Sequence, residues 1–136
     1  MGENMKIFKS INVGDKAELT HKITKRDIEK FIDLSGDNNK LHISKNPIVH
    51  GMLVASFIST VIGTKLPGNG TLWLSQDIEF LLPVRMGDVI TVKVEVTGKY
   101  NNIQVLKLST DIFNQFNKRV IRGIAKVKIL ALEEII

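Results

Sequence analysis

The sequence has 136 residues, 43% of them hydrophobic, which is enough for a single domain over residues 1–136 with a real core. It contains no cysteine, which excludes disulfides, thiolate catalysis and cysteine-ligated metal and is typical of a cytoplasmic protein. The 19 basic and 14 acidic residues are scattered and give a net charge of +5, which indicates a solvated surface or, as the alternative, attraction to an anionic partner such as nucleic acid or a phosphorylated cofactor.

The first predicted elements are a short strand over residues 15–22 and a helix with well-marked ends. Before them, the first ten residues carry lysines but no apolar core of signal-peptide length, so no export signal is expected. Thr24 can cap the helix, and Asp27 three residues later completes a variant of the capping box. Gly36 suits the C-terminal stop. Asp37 is therefore expected just beyond a helix end, at the start of a polar loop.

One long stretch, residues 46–64, contains no Asp, Glu, Lys or Arg. A membrane span needs about 20 predominantly apolar residues, whereas Asn, Pro, His, Ser, Thr and Gly interrupt this stretch. We therefore predict a buried helix over residues 51–63 and no membrane span. Because its apolar residues cover more than one face, we expect other elements to wrap it on nearly all sides.

The second half of the chain predicts the sheet that wraps this helix. Apolar and polar residues alternate from residue 90 to residue 97, which is the period of a half-buried strand. Turn residues separate this strand from its neighbours. Meandering antiparallel strands around one buried helix make an α+β domain. The predicted strands are residues 72–82, 89–98, 103–113 and 119–131.

Asp37 and His42 place a carboxylate and an imidazole in one loop. Such a pair suits acid–base work on a single water molecule, because near neutral pH the carboxylate accepts protons and the imidazole can accept or donate them. The alternative is that these polar side chains only satisfy their own loop backbone. The spacing of the three histidines matches no metal-ligand pattern, and no metal is predicted.

Gly51 opens the predicted buried helix, directly after His50. A helix N-terminus exposes unpaired N–H groups that can hold a developing oxyanion, and a glycine there allows close approach to the backbone. Alternatively, Gly51 only permits tight packing of the helix on the sheet. His50 either orients the loop through a hydrogen bond or is a satisfied core histidine.

Three segments together resemble the MaoC-like, or (R)-specific, enoyl-CoA hydratases. These segments are DNNKLH at residues 37–42, IVHGML at residues 48–53 and FLLPVRMGD at residues 80–88. The resemblance covers about residues 13–131. It implies a hot dog fold, in which an antiparallel sheet wraps a long central helix, and it implies a homodimer or a larger homo-oligomer.

The resemblance also implies an activity and a set of roles. Family members hydrate a trans-2-enoyl thioester to an (R)-3-hydroxyacyl thioester and use no cofactor beyond the coenzyme A or acyl carrier protein of the substrate. Carried over by position, Asp37 is the base acting on water, and His42 positions the water and shares the proton transfer. The Gly51 N–H polarises the thioester carbonyl, and Asn39 supports the pair. Apart from the resemblance, His50 is expected to support the site through the structural role given above.

Two features depart from the family pattern. Lys40 stands where the family has proline, and only seven residues, 43–49, separate His42 from His50, where the family usually has a longer segment. Either the loop is shortened and the pocket more open, or the sequence omits a stretch. Two alternative functions stay open: a hot dog acyl-CoA thioesterase, and a non-catalytic subunit for acyl-thioester binding or assembly. Nucleic-acid binding is not predicted, since aromatic residues make up 6% of the chain and do not interleave with basic ones.

Overall fold

The computed structural model of the chain describes residues 2–130, which form four helices and five strands. The helices are α1 (Gly2–Ser10), α2 (Lys25–Ser35), α3 (Lys40–Ile43) and α4 (Gly51–Thr64). The strands are β1 (Lys16–Lys22), β2 (Thr71–Phe80), β3 (Val89–Tyr100), β4 (Val105–Phe113) and β5 (Arg119–Ile129). The predicted strands are confirmed to within a few residues; residue 131, the predicted end of the last one, lies outside the described range.

The five strands form one antiparallel sheet in the order β1-β3-β4-β5-β2. Strand β3 shows the predicted alternation, because its even-numbered apolar residues are buried and lie in the core that α4 also enters. These core residues are Ile90, Val92, Val94 and Val96. Strands β1 and β2 are the two edges of the sheet, and α4 contacts β1, β2 and β3. The α+β class and the central position of α4 are as predicted.

Helix α4 is buried on one side only. Its inward residues include Val54, Ile58 and Val61, each at most 1% exposed. Met52, in contrast, is 61% exposed, and the polar residues Ser56, Ser59 and Thr60 are exposed as well. The prediction that the helix is buried on nearly all sides is therefore wrong for a single chain, because one sheet can cover only the face that packs against it.

Helix α2 has the predicted ends. The Thr24 side chain accepts from the Asp27 N–H at 3.2 Å, and the Asp27 carboxylate accepts from the Thr24 N–H at 2.9 Å, which completes the capping box. Gly36 ends the helix in the left-handed conformation, with φ of 76°. These caps hold Asp37 at the point where the chain leaves the helix.

Two helices were not predicted. Helix α1 places Phe8 in the core, and Lys99 of β3 anchors it, since its Nζ donates to the Ile11 carbonyl at 2.6 Å and lies 4.7 Å from the Phe8 ring centroid. Helix α3 is a four-residue turn inside the polar loop. No helix among residues 2–130 is long and apolar enough to cross a membrane.

Candidate active site

A cavity of about 630 Å³ lies where the N-terminal end of α4 meets α2, the polar loop and the segment that follows β2. Most of its lining is apolar, and the polar side chains gather on one wall. That composition is typical of a small-molecule site, in which a few polar groups orient a largely apolar ligand. The polar lining residues are Ser35, Asp37, His42 and His50.

The loop holds Asp37 through short-range hydrogen bonds. Its N–H donates to Ser35 Oγ at 3.1 Å, and its Oδ1 accepts from the Asn39 N–H at 3.2 Å. Asn39 in turn caps α3 by accepting from the Leu41 N–H at 3.0 Å. Asn39 thus links the Asp37 carboxylate to the turn that carries His42. The Asp37 side chain is 53% exposed, so solvent or a ligand can reach it.

His42 is oriented by a backbone carbonyl. Its Nδ1 lies 2.6 Å from the carbonyl oxygen of Ile48. A carbonyl can only accept, so Nδ1 carries the proton and the Nε2 of the neutral ring has a free lone pair. This Nε2 faces Asp37 Oδ2 at 3.9 Å, and the imidazole is 13% exposed. The two predicted acid–base groups are therefore brought together on one wall of the cavity.

His50 contacts both Asp37 and His42. It is 2% exposed, and its Nε2 donates to the Asp37 carbonyl oxygen at 2.8 Å. Its ring stacks on that of His42, with centroids 3.7 Å apart and planes 21° apart, and it packs against Phe31 on another side. The hydrogen bond to the loop that the sequence suggested is present. The stack on His42 was not predicted.

Gly51 is the first residue of α4 and lies against an aromatic ring. A Cβ atom on Gly51 would lie 2.7 Å from Cε1 of Phe80, so the ring occupies the space of a side chain. His50, the N-cap, makes no side-chain hydrogen bond to the helix. The contact supports the close-packing explanation for this glycine. The role of its N–H as an oxyanion donor stays a prediction.

The short segment 43–49 is tied down at its C-terminal end. The Ile48 N–H donates to the Leu41 carbonyl at 2.8 Å, and Arg85 Nη1 donates to the Asn46 carbonyl at 2.7 Å. These bonds fold the segment into a tight connection that carries the chain from His42 directly to His50. The two imidazoles at its ends lie close enough to stack.

The side chains of Asp37, His42 and His50 offer ligand atoms that all lie within 4.8 Å of one another. A two-histidine, one-carboxylate set can hold a divalent metal when the lone pairs of its rings converge. Here His50 has its Nε2 bonded to the Asp37 carbonyl and its Nδ1 buried, so it presents no accessible lone pair to the cavity. The arrangement therefore fits proton transfer better than metal binding.

His21, to which the sequence assigned no role, lies outside this cavity and has a structural partner. Its Nε2 lies 2.8 Å from Asp27 Oδ2, and its ring stacks on Phe57 at 4.4 Å. Burial raises the pKa of Asp27, but hydrogen bonds from the Thr24 backbone, from His21 and from the Thr24 hydroxyl outweigh it, and the net pKa is lowered. His21 thus fastens β1 to the start of α2.

Comparison with known proteins gives concordant results. The family model of the MaoC like domain matches residues 9–112. The chain is 39% identical over 129 residues to an (R)-specific enoyl-CoA hydratase of Aeromonas caviae, covering 88% of this chain and 96% of that protein. It is 43% identical over 100 residues to an (R)-specific enoyl-CoA hydratase of Rhodospirillum rubrum, covering 67% of this chain and 69% of that protein.

Comparison with solved structures also finds (R)-hydratases. The (R)-hydratase from A. caviae superposes with a TM-score of 0.85 at 38% identity, covering 89% of this chain and 98% of that one. The R-hydratase PhaJ1 from Pseudomonas aeruginosa has a TM-score of 0.85 at 36% identity, covering 90% of this chain and 84% of that one. A hot-dog-like protein from Thermanaerovibrio acidaminovorans, 14% identical with a TM-score of 0.69 over 93% of this chain and 89% of that one, shares the fold alone. The predicted hot dog fold is confirmed.

Proposed function

The chain belongs to the MaoC-like domain family, and on that premise we propose that it is a hydro-lyase, which reversibly hydrates a trans-2-enoyl-CoA to an (R)-3-hydroxyacyl-CoA. The observation that carries the proposal is the pairing of Asp37 Oδ2 with His42 Nε2 at 3.9 Å on the polar wall of an otherwise apolar cavity. The relatives that match over most of their length are named for this reaction.

A water molecule between the two side chains is the nucleophile. The gap of 3.9 Å is too wide for a direct hydrogen bond, but both atoms can accept from one water bound beside them. As the water oxygen bonds to the beta carbon, Asp37 removes one of its protons. His42 holds the water through the Nε2 lone pair and shares in passing that proton to the alpha carbon. The sum is the addition of one water across the double bond.

Negative charge develops on the thioester oxygen during this addition. The N-terminus of α4 offers backbone N–H groups and a partial positive charge at that point, and the Gly51 N–H is the donor we assign. Asn39 supports the pair through the bond from its N–H to the Asp37 carboxylate, and His50 supports it through its bond to the Asp37 backbone carbonyl. Acid–base chemistry of this kind needs neither a metal nor a cofactor beyond the carrier of the acyl group.

The protein works as a homodimer or a higher homo-oligomer in the cytoplasm. The two edges of the sheet differ: β1 exposes the charged residues Lys16, Glu18 and Lys22 along its length, whereas the first half of β2 exposes Leu72, Trp73 and Leu74 and its charged exposed residues, Asp77 and Glu79, lie in the second half. Charged edges discourage strand pairing, and an apolar edge favours it. Strand β2 is therefore the edge at which a second copy pairs. The thioester carrier is coenzyme A or acyl carrier protein.

Hydration of crotonyl-CoA tests the proposal. We expect loss of the conjugated double bond without release of free thiol, and chiral analysis should give the (R)-3-hydroxy product. Release of free thiol would point to a thioesterase instead. No turnover with acyl chains of any length would leave an acyl-thioester-binding subunit as the better description.

A further inference from the structure

We propose that His50 is a positioning residue that holds Asp37 and His42 as one unit, through a hydrogen bond to the first and a ring stack on the second. The inference rests on the proposed function and deepens it. Neither the acid–base roles nor the family motif requires this arrangement. It follows from two contacts that His50 makes with the two groups at the same time.

His50 joins a buried part of the fold to an exposed loop. It is 2% exposed, it directly precedes α4, and the neighbouring Val49 N–H donates to the Val84 carbonyl at 2.8 Å. Asp37, by contrast, has a half-exposed side chain in a loop. The bond from His50 Nε2 to the Asp37 carbonyl, at 2.8 Å, therefore ties the exposed loop to the buried residue. Catalytic groups held in this way keep the geometry that their chemistry needs.

The stack fixes the second partner. The His42 ring is bounded on one face by His50, at a centroid separation of 3.7 Å, and its Nδ1 is fixed by the Ile48 carbonyl. Rotation of the imidazole away from Asp37 would break both contacts. Because one residue contacts both members of the pair, the distance between Asp37 and His42 depends on His50.

The contacts of His50 leave no route for a proton through it. Its Nε2–H is directed to a backbone carbonyl, which has no proton to exchange. Its Nδ1 is buried and has no hydrogen-bond partner among residues 5–130. His50 is thus a positioning residue and not a catalytic one, which separates its expected signature from that of His42.

Three substitutions at His50 test the hydrogen bond and the ring stack separately. His50→Gln retains a donor near the Nε2 position and loses the ring, His50→Phe retains the ring and loses the donor, and His50→Ala loses both. We expect His50→Ala to lower kcat for crotonyl-CoA hydration by roughly 10²-fold. The other two should fall between it and wild type, with KM changed less than about threefold in all three. His21→Phe is the matched control, because His21 also bonds a residue of another element, Asp27 of α2, and stacks on a ring, but outside the cavity.

Two further measurements separate positioning from proton transfer. The pH dependence of kcat should keep the limbs of wild type in all three variants, since His50 exchanges no proton in the reaction. In an Asp37→Asn background, adding His50→Ala should lower kcat by less than about a further threefold, because the effects of residues that act through one another are not additive. Loss of one limb of the pH profile in any of the three variants would overturn the assignment. So would a double variant in which His50→Ala lowers kcat as much as it does in the wild-type background.

Nitrogen-15 NMR of the histidine rings tests the contacts without turnover. We expect the ring signals to show His50 protonated at Nε2 and His42 at Nδ1, and we expect His50→Phe to shift the Asp37 and Asn39 amide signals while His21→Phe leaves them in place. If wild type fails to hydrate any enoyl thioester but these shifts occur, the proposed function fails and the positioning contacts stand. If wild type is active but the kcat of His50→Ala is within threefold of wild type, the inference fails and the function stands.

Discussion

The Nε2 atom of His42 faces Oδ2 of Asp37 across 3.9 Å, with its lone pair freed by the bond from Nδ1 to the Ile48 carbonyl. A direct ion pair would satisfy both groups and leave no room for a nucleophile. At the observed separation, one water molecule bound beside the two atoms can donate a hydrogen bond to each of them. This relationship gives the clearest prediction for mutagenesis.

Asp37→Asn and His42→Ala should each lower kcat for crotonyl-CoA hydration by roughly 10²-fold or more, because each removes one group from the proton transfer. Both side chains line the cavity and lie outside the hydrophobic core, so the circular dichroism spectra should match that of wild type. Asp33→Asn is a suitable control, since Asp33 is an exposed carboxylate of α2 outside the cavity lining. Turnover within about threefold of wild type in both active-site variants would refute the acid–base assignment.

Gly51→Ala should fold but lose activity. The new Cβ would lie 2.7 Å from the Phe80 ring, which is half exposed and can move, but only by shifting a wall of the cavity. We expect kcat/KM for crotonyl-CoA to fall by roughly tenfold or more, and Phe80→Ala in the same chain to restore part of the loss. Gly63→Ala is the control within the same helix, because nothing lies within 4 Å of a Cβ there. Full activity in Gly51→Ala would show that close approach at this residue is unnecessary.

How far the sequence predicted these features depends on how local their signals are. The ends of α2 were predictable, since Thr24, Asp27 and Gly36 act on backbone groups within one turn of themselves. The alternation of β3 was predictable because successive side chains along a strand point to opposite faces of the sheet. The pairing of Asp37 with His42 could be anticipated from the family motif, but not from spacing alone.

Other features depend on packing between residues that are far apart in the sequence, and no local sequence pattern predicts them. The stack of His42 on His50 joins residues on either side of a short connection, which Arg85 from beyond β2 contacts at the Asn46 carbonyl. The one-sided burial of α4 could not be read from its composition, because an apolar helix gives no sign of how many elements cover it. Helix α1 is too short and too charged to show a clear periodic signal.

Asp27 should make stability depend on pH in the acid range. Its pKa is lowered in the folded protein, because hydrogen bonds from Thr24 and His21 outweigh the effect of burial. The carboxylate therefore contributes stability that is present above its unfolded pKa of about 3.9 and is lost as the pH falls through the lower folded value. The free energies of urea unfolding of wild type and Asp27→Asn should differ above about pH 4, with the difference shrinking as the pH falls further. The exposed Asp33→Asn variant should show no such convergence, and a constant difference for Asp27→Asn would contradict the linkage.

The apolar edge of β2 should mediate assembly. Leu72 and Leu74 are exposed to 45% and 49% on a strand that pairs only with β5 within residues 2–130, and such an edge attracts a second strand. Light scattering of wild type should give a multiple of the 15.2 kDa chain mass, and Leu72→Lys with Leu74→Lys should shift the mass towards a single chain, because charge at a paired edge must be desolvated. Val13→Lys is the control, as Val13 is 61% exposed and lies outside any strand. A wild-type mass of one chain at assay concentration would refute the oligomer, and an unchanged mass in the double variant would place the interface elsewhere, on a surface such as the exposed face of α4.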